Sequence, residues 1–216
     1  MNKRREEILS VIPKCEVLCD VGCDHGYVGF ECLLRGIAGK VIFSDISAPS
    51  LEKAKSLLQG DGELLKRASF CVANGLDGVS GIDVDACVIA GMGGEEIMKI
   101  LSGETPKFCV LQPMSEVEKL REFLAGRFEI LSDRLFYDRG KYYNLLLCEN
   151  SGASEKLSKF EVMFGKTNLQ KPEADFLEFA TARLKRQKAI KKARSTTAKE
   201  DDEIIDFLEE FLKNHS

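Results

Sequence analysis

Two acids and a histidine crowd the run Asp20-Val21-Gly22-Cys23-Asp24-His25-Gly26-Tyr27, and His25 is one of only 2 histidines among the 216 residues. Carboxylates and an imidazole this close can orient one another, hold a proton, or place negative charge beside a reacting group. Gly22 allows a ligand close to the backbone and Gly26 eases entry into a helix. The run follows the apolar stretch Val17-Leu18-Cys19 and precedes a helical pattern from Val28 to Leu34. A buried strand, a glycine-bearing turn and a helix start are therefore expected, the arrangement in which backbone N–H groups meet a nucleotide-like ligand. The turn is not G-x-G-x-x-G, so the dinucleotide fingerprint is missing.

Further candidates end the other apolar runs. Val41-Ile42-Phe43-Ser44 closes on Asp45, about 20 residues after the glycine turn, where a carboxylate can accept both hydroxyls of a ribose. Asp45 also fits as a helix N-terminal charge, which stabilises by about 0.3–1 kcal/mol. Asn74-Gly75 ends the third run; the amide suits an adenine edge with Gly75 giving clearance, or a plain polar turn. Gly91-Met92-Gly93-Gly94 ends the fourth, as a flat floor for a ligand or as close helix–strand packing. Leu111-Gln112-Pro113-Met114 ends the fifth, and the Gln112 amide could both donate to and accept from a base edge.

The elements that must position these residues alternate. Strands are expected at 16–21, 40–45, 68–73, 84–90 and 107–112, and helices at 3–11, 26–36, 48–59, 94–102 and 115–125, with Ser47 capping the third of these helices and Pro49 in its first turn. That rhythm predicts a parallel sheet covered on both faces. It breaks at 128–137 and 142–149, two β-like runs around the turn Asp138-Arg139-Gly140-Lys141. The expected fold class is α/β, a seven-stranded mixed sheet of the class I methyltransferase (Rossmann-like) type. It is followed by a C-terminal α-helical hairpin, giving domains 1–150 and 151–216 with Ser151-Gly152-Ala153-Ser154 as linker.

The hairpin is expected at 173–194 and 199–213, joined near Arg194-Ser195-Thr196-Thr197-Ala198, with Leu177, Ala180, Leu184, Gln187 and Ile190 at helical spacing in the first and Ile204, Ile205, Leu208, Phe211 and Leu212 in the second. Residues 183–194 carry 7 basic side chains and no acid; residues 200–210 carry 7 acids and no base. These charges can complement each other across a coiled-coil-like pair, and the basic face from Arg183 to Arg194 can contact RNA phosphates.

Composition sets the limits. With 44% hydrophobic and 31% charged residues and a net charge of −4, the chain has the make-up of a soluble globular protein with no overall basic bias. No apolar run approaches the roughly 20 residues of a membrane span, and the basic start Met1-Asn2-Lys3-Arg4-Arg5 lacks a signal-peptide apolar segment. A cytoplasmic location is expected. The 8 cysteines form no C-x-x-C pair and sit mostly in apolar runs, as small buried hydrophobes of a reduced protein; no metal site is expected.

The run Asp20–Tyr27 with Gly91-Met92-Gly93-Gly94, Leu111-Gln112-Pro113 and the hairpin through Lys141-Tyr142-Tyr143 resembles the bacterial tRNA adenine(22)-N1-methyltransferase family. The resemblance covers nearly the whole chain. It departs at Val28-Gly29, where that family has Leu-Pro, and at Met114, where it has Asn. It implies methylation of adenine N1 in the D-arm of tRNA with S-adenosylmethionine as cofactor. Asp20, Gly22, Cys23, Asp45, Ile46, Asn74, Gly75, Gly91 and Met92 are then the cofactor site, and Asp24, His25 and Gln112 the catalytic set. Asp24 is expected to face the base, Asp20 to hold the cofactor's amino group or order the turn, His25 to orient Asp24 or touch the base, and Tyr27 to pack. Two other classes stay open: a class I methyltransferase acting on another RNA or a small molecule, and a catalytically inactive cofactor- or RNA-binding module.

Overall fold

The computed structural model describes residues 2–79, 81–193 and 199–215. The chain runs α1 (Lys3–Val11), β1 (Cys15–Val21), α2 (Tyr27–Leu34), β2 (Ala38–Asp45), α3 (Ala48–Leu58), α4 (Gly62–Lys66) and β3 (Ala68–Val72). A 3-10 turn (Asp77–Val79), β4 (Ala86–Met92), α5 (Gly94–Ile100), β5 (Phe108–Pro113), α6 (Val117–Ala125), β6 (Glu129–Asp138) and β7 (Lys141–Glu149) follow. Helices α7 (Lys159–Phe164), α8 (Lys166–Gln170), α9 (Ala174–Ala193) and α10 (Lys199–Asn214) complete it.

The seven strands form one sheet in the order β3-β2-β1-β4-β5-β7-β6. Strands β1 to β5 are parallel, and β7 runs antiparallel to both neighbours. The strands are apolar without alternation because both sheet faces are covered. Leu18, Val41, Phe43 and Val88 pack against α1, α2 and α3 on one face, while Cys19, Cys87, Ile89 and Leu111 pack against α5 and α6 on the other. Strand order reverses between β1 and β4, which makes their carboxyl ends the place where a ligand sits in an open α/β sheet. Ser47 caps α3 by accepting from the Ser50 N–H, and Pro49 lies in the first turn, as its fixed backbone angle favours.

Several boundaries differ from the sequence expectation. Strand β4 continues to Met92, with an irregularity between Ala90 and Met92 that Gly91 absorbs at φ +86°. Helix α6 starts at Val117 rather than 115, after Glu116 at φ +50°. Helix α4 falls between the expected helix 48–59 and strand 68–73, started by Asp61 accepting from the Glu63 and Leu64 N–H groups. Among the described residues the C-terminal region holds four helices, not two. Short α7 and α8 break at Gly165, and Ser158 and Glu161 form a reciprocal capping box at the start of α7. The expected joint at 194–198 lies outside the described residues.

A third apolar cluster fastens the C-terminal helices to β6: Leu135 packs with Phe164, Phe176, Ala180, Ile204 and Leu208. Beneath it lies a buried ion pair. Arg121 of α6 donates to both carboxylate oxygens of Asp133 on β6, at 2.6 and 3.1 Å, and both side chains are 1% exposed. The same guanidinium donates to the Val162 and Met163 carbonyls of α7 and to Asn144 of β7. Thr167 and Asn168 of α8 accept from the Asp133 and Leu135 N–H groups, so side chains cover the free edge of β6. Among the described residues no helix is long and apolar enough to cross a membrane.

Removing one partner of a satisfied buried pair strands the other charge. Arg121→Met should lower unfolding free energy by about 3–5 kcal/mol, and Arg121→Met with Asp133→Asn should recover part of the loss. Urea midpoints of the two variants check this.

Candidate active site

The carboxyl ends of β1 and β2 are tied together by one side chain. Asp45, the last residue of β2, accepts from the Asp24 N–H at 3.0 Å and the Ser47 N–H at 2.8 Å. The Gly22 and Cys23 N–H groups donate to the Ser44 carbonyl, and the Gly26 N–H closes the turn on the Cys23 carbonyl. Asp24 is thereby held at φ +48°, a left-handed conformation that aspartate tolerates better than most residues. Its side chain points into solvent, 66% exposed, with Oδ2 2.6 Å from His25 Nδ1. An ionised carboxylate only accepts, so the imidazole carries its proton on Nδ1 in this contact.

Asp20 plays a different part. It is buried, and Oδ2 accepts from the Gly29 N–H at 2.9 Å, tying β1 to the first turn of α2. The proline of the resembled family at this position has no N–H to give. Gly29 also lets α2 sit close on β2, since a side chain there would meet Phe43 at 2.5 Å. Burial raises the Asp20 carboxyl to about 6, with the Gly29 hydrogen bond working against that rise and the Asp45 charge adding to it.

The glycines divide into two groups. Gly22 (φ +64°) and Gly91 (φ +86°) both adopt left-handed backbone at the sheet edge. Met92 lies over Gly22, its methyl carbon 2.1 Å from where a Cβ would stand, so Met92 closes one side of the turn. Gly75 is buried and gives clearance to Ile100 of α5 rather than to open space; its carbonyl accepts from Ser44 Oγ. Gly94 gives clearance to the backbone of Ser115 and Glu116. Packing therefore accounts for Gly75 and Gly94, while Gly91 is exposed at the end of β4 with Arg4 Nη2 3.0 Å from where its Cβ would stand.

Of the remaining candidates, Ile46 is 75% exposed directly beyond Asp45, and Asn74 is exposed at the end of β3. Cys23 is half-buried, and burial pushes its thiol far above the usual range. The Gln112 amide does not face an open pocket. Gln112 is fully buried, its Oε1 accepts from Arg4 Nε at 2.6 Å, and its Nε2 donates to the Pro113 carbonyl at 2.8 Å. Both ends of the amide are used internally, a correction to its expected contact with a base. Tyr27 also departs from expectation. It is 48% exposed, its ring stacks on His25 at 5.7 Å and 7°, and Arg5 lies over it at 5.1 Å.

Arg4 and Arg5 are the residues that sequence reasoning missed. The basic start of the chain shows only that it is no signal peptide; nothing local says that α1 folds back over β5 and β7. A shallow groove of about 370 Å³ opens beside them, lined by Met114, Lys141, Tyr142 and Tyr143 among others. A larger depression of about 1060 Å³ lies between the 3-10 turn and α5 and includes no residue of the 20–27 turn.

A parallel sheet with a reversed-order edge, an antiparallel terminal hairpin and an acid at the end of β2 defines a Rossmann-like methyltransferase fold. The chain belongs to the methyltransferase domain family, whose model matches residues 1–146. It is 32% identical over 173 residues to a candidate tRNA methyltransferase of Mycoplasma pneumoniae, covering 76% of this chain and 79% of that one. It is 29% identical over 155 residues to the tRNA (adenine(22)-N(1))-methyltransferase of Bacillus subtilis, covering 69% and 65%. The crystal structure of a candidate tRNA (m1A22) methyltransferase of Streptococcus pneumoniae with S-adenosyl-L-methionine superposes with a TM-score of 0.83 at 26% identity, covering 98% of this chain and 99% of that one.

The raised Asp20 carboxyl gives a stability signature. An unfolded aspartate titrates near 3.9, so between about pH 4 and 6 the native state holds a proton that the unfolded chain has lost. The contribution of Asp20 to stability is therefore full below about pH 4, falls as pH rises, and is flat above about pH 7. Unfolding free energy of the wild type minus that of Asp20→Asn should fall across this window; a difference independent of pH contradicts the assignment.

Proposed function

We propose that this chain transfers a methyl group from S-adenosylmethionine to N1 of adenine 22 in the D-arm of tRNA. The observation that carries the reading is the turn 20–27. It sets an exposed carboxylate, Asp24, on the same backbone loop that Asp45 fixes to the end of β2. The relatives act on tRNA by name, and their likeness runs through the C-terminal helices as well as the sheet.

The residues present fit an adenosyl group. Asp45 keeps lone pairs after its two N–H donors and can accept a ribose diol. Exposed Ile46 offers an apolar face to the adenine, Asn74 a polar edge, and Gly22 and Gly91 bare backbone to the chain between sugar and amino acid. Cys23, Gly75 and Met92 support this wall from behind. Asp20 orders the turn through Gly29 rather than meeting the cofactor's amino group.

The cofactor supplies an electrophilic methyl group. Adenine N1 carries an in-plane lone pair, so no side chain has to remove a proton first. Positive charge develops on the adenine ring as the methyl arrives, and a carboxylate fixed beside it stabilises that charge without reorganising. Asp24 accepts from the exocyclic amino group and meets that charge. His25 holds Asp24 through Nδ1. The His25–Tyr27–Arg5 stack forms a platform for an unstacked nucleotide, and the groove at Met114, Lys141 and Tyr143 receives flanking RNA. Met114 brings no amide to that groove, so base contacts fall to Asp24 and His25.

Residues 1–150 form the catalytic domain in this reading, and 151–216 a helical, coiled-coil-like domain on the RNA side. Both readings of the α9 charges have support. Lys188 and Lys191 pair with Glu209 and Asp202 of α10. Lys185, Arg186 and Lys192 are exposed and make no ion pair among the described residues, which leaves them for phosphates; Arg194 lies outside those residues. No membrane partner is implied, and a cytoplasmic location follows from the tRNA substrate.

Incubation with unmodified tRNA and methyl-labelled S-adenosylmethionine should yield N1-methyladenosine after digestion. Asp24→Asn keeps the left-handed backbone but removes the charge. It should lower turnover about 10²–10³-fold while cofactor affinity stays within a few-fold. No transfer by the wild type contradicts the function; undiminished turnover in Asp24→Asn contradicts its mechanism.

A further inference from the structure

The open edge of the sheet is acidic, yet the proposed substrate is a polyanion. Asp20, Asp24 and Asp45 lie at the ends of β1 and β2. An RNA strand that sets a base beside Asp24 brings its phosphates within a nucleotide's length of these carboxylates, and cations of the chain must offset the repulsion. Most basic side chains around the edge are already used. Lys3 pairs with Asp175 and donates to the Tyr137 carbonyl, Arg35 pairs with Glu6 and Glu31, and Arg134 pairs with Glu7. Arg4 and Arg5 of α1 make no ion pair among the described residues.

These two arginines face different ways. Arg4 Nε donates to Gln112 Oε1, and its Nη2 lies against Gly91 at the end of β4. Arg5 lies on α2 instead, its guanidinium carbon 5.1 Å from the centre of the Tyr27 ring. Tyr27 is half exposed and stacks with His25 at 5.7 Å, and His25 Nδ1 meets Asp24. A chain of contacts from Arg5 through Tyr27 and His25 to Asp24 therefore crosses the turn, with a cation at one end and a carboxylate at the other.

The Arg5 guanidinium is costly to leave alone. Among the described residues three buried side-chain nitrogen or oxygen atoms lack a hydrogen-bond partner: Arg5 Nε, Arg134 Nε and Asp202 Oδ1. The last two belong to side chains in ion pairs, with Glu7 and Lys191. Arg5 has no such compensation. Its Nη1 and Nη2 make no hydrogen bond among the described residues either and, unlike Nε, are not buried. A partly desolvated guanidinium held over a ring gains more from an anion than a solvated surface arginine does, and its planar fork suits two phosphate oxygens.

Resting on the methyltransferase reading, we infer that Arg5 receives the RNA phosphate next to the target adenosine. Asp24 meets the base, Arg5 fixes the strand, and the rings of Tyr27 and His25 lie between them. The contact thereby helps select which nucleotide reaches the turn.

The test is a cycle between protein and RNA. The full chain is titrated with unmodified tRNA, and with the same tRNA carrying a neutral methylphosphonate in place of the phosphate on the 5′ or the 3′ side of nucleotide 22. In the wild type one of these two linkages should weaken binding about 10-fold, the size of a hydrogen bond to a charged group. Arg5→Met should bind unmodified tRNA about 10-fold more weakly and lose no further affinity at that linkage. Its slope of log Kd against log salt should be shallower by about 0.7–0.9, the share of one phosphate. Arg5→Lys should recover part of both effects. In turnover the loss should fall on KM for tRNA rather than on kcat, while affinity for S-adenosylmethionine stays within a few-fold, which sets misfolding apart. Losses that add, no loss at either linkage, or an unchanged salt slope in Arg5→Met overturn the contact. A wild type that binds tRNA with this coupling but transfers no methyl group overturns the methyltransferase reading and leaves the contact standing. A wild type that binds neither tRNA nor cofactor overturns both.

Discussion

The carboxylate of Asp45 fixes the geometry of the open edge. It sits at the end of one strand and accepts from the Asp24 N–H, in the turn that follows its neighbour, and from the Ser47 N–H just beyond itself. Those two N–H groups would otherwise point at water or a ligand without support. The first bond helps hold Asp24 in a left-handed conformation and so decides where its side chain goes. The same carboxylate keeps lone pairs for a sugar. In the proposed function one group thereby couples the cofactor side of the turn to the base side, and a shift of β2 against β1 would disturb both.

Around that point the fold is built to resist such a shift. Buried Asp20 bonds β1 to α2, and Gly26 and Gly29 let Phe43 pack under the helix start. Helix α1 works as a strap. Glu6 holds Arg35 of α2, Glu7 holds Arg134 of β6, and Lys3 reaches Asp175 of α9. The Arg121–Asp133 pair anchors the short helices α7 and α8 to the far edge of the sheet. The C-terminal helices are thus tied to the open edge by two routes, through α1 and through β6 and β7.

The sequence was legible where local chemistry decides structure. Apolar runs without alternation announced parallel strands, and Asp138-Arg139-Gly140-Lys141 announced the hairpin, whose turn has Arg139 and Gly140 at positive φ. The acid at the end of β2 stands out in the sequence by its distance from the glycine turn, and its bonds to the Asp24 and Ser47 N–H groups place it at the open edge. What stayed hidden depends on contacts distant in the chain. Arg4 and Gln112 are 108 residues apart, and a polar residue at a strand end does not reveal that its amide is consumed internally. Gly75 and Gly94 look like Gly91 in sequence, yet Ile100 and the 115–116 backbone claim their space. Helices α7 and α8 are too short for a periodic signal and exist because Arg121 and the β6 edge hold them.

The central claim is that the turn at 20–27 delivers a methyl group to N1 of one adenine. A methyl there blocks Watson–Crick pairing, so reverse transcription of the treated tRNA reports the atom and the position together. The account predicts a stop next to nucleotide 22 after treatment with the wild type and cofactor, and none when that adenine is replaced by guanine. Read-through of treated tRNA, or a stop at another nucleotide, would contradict it.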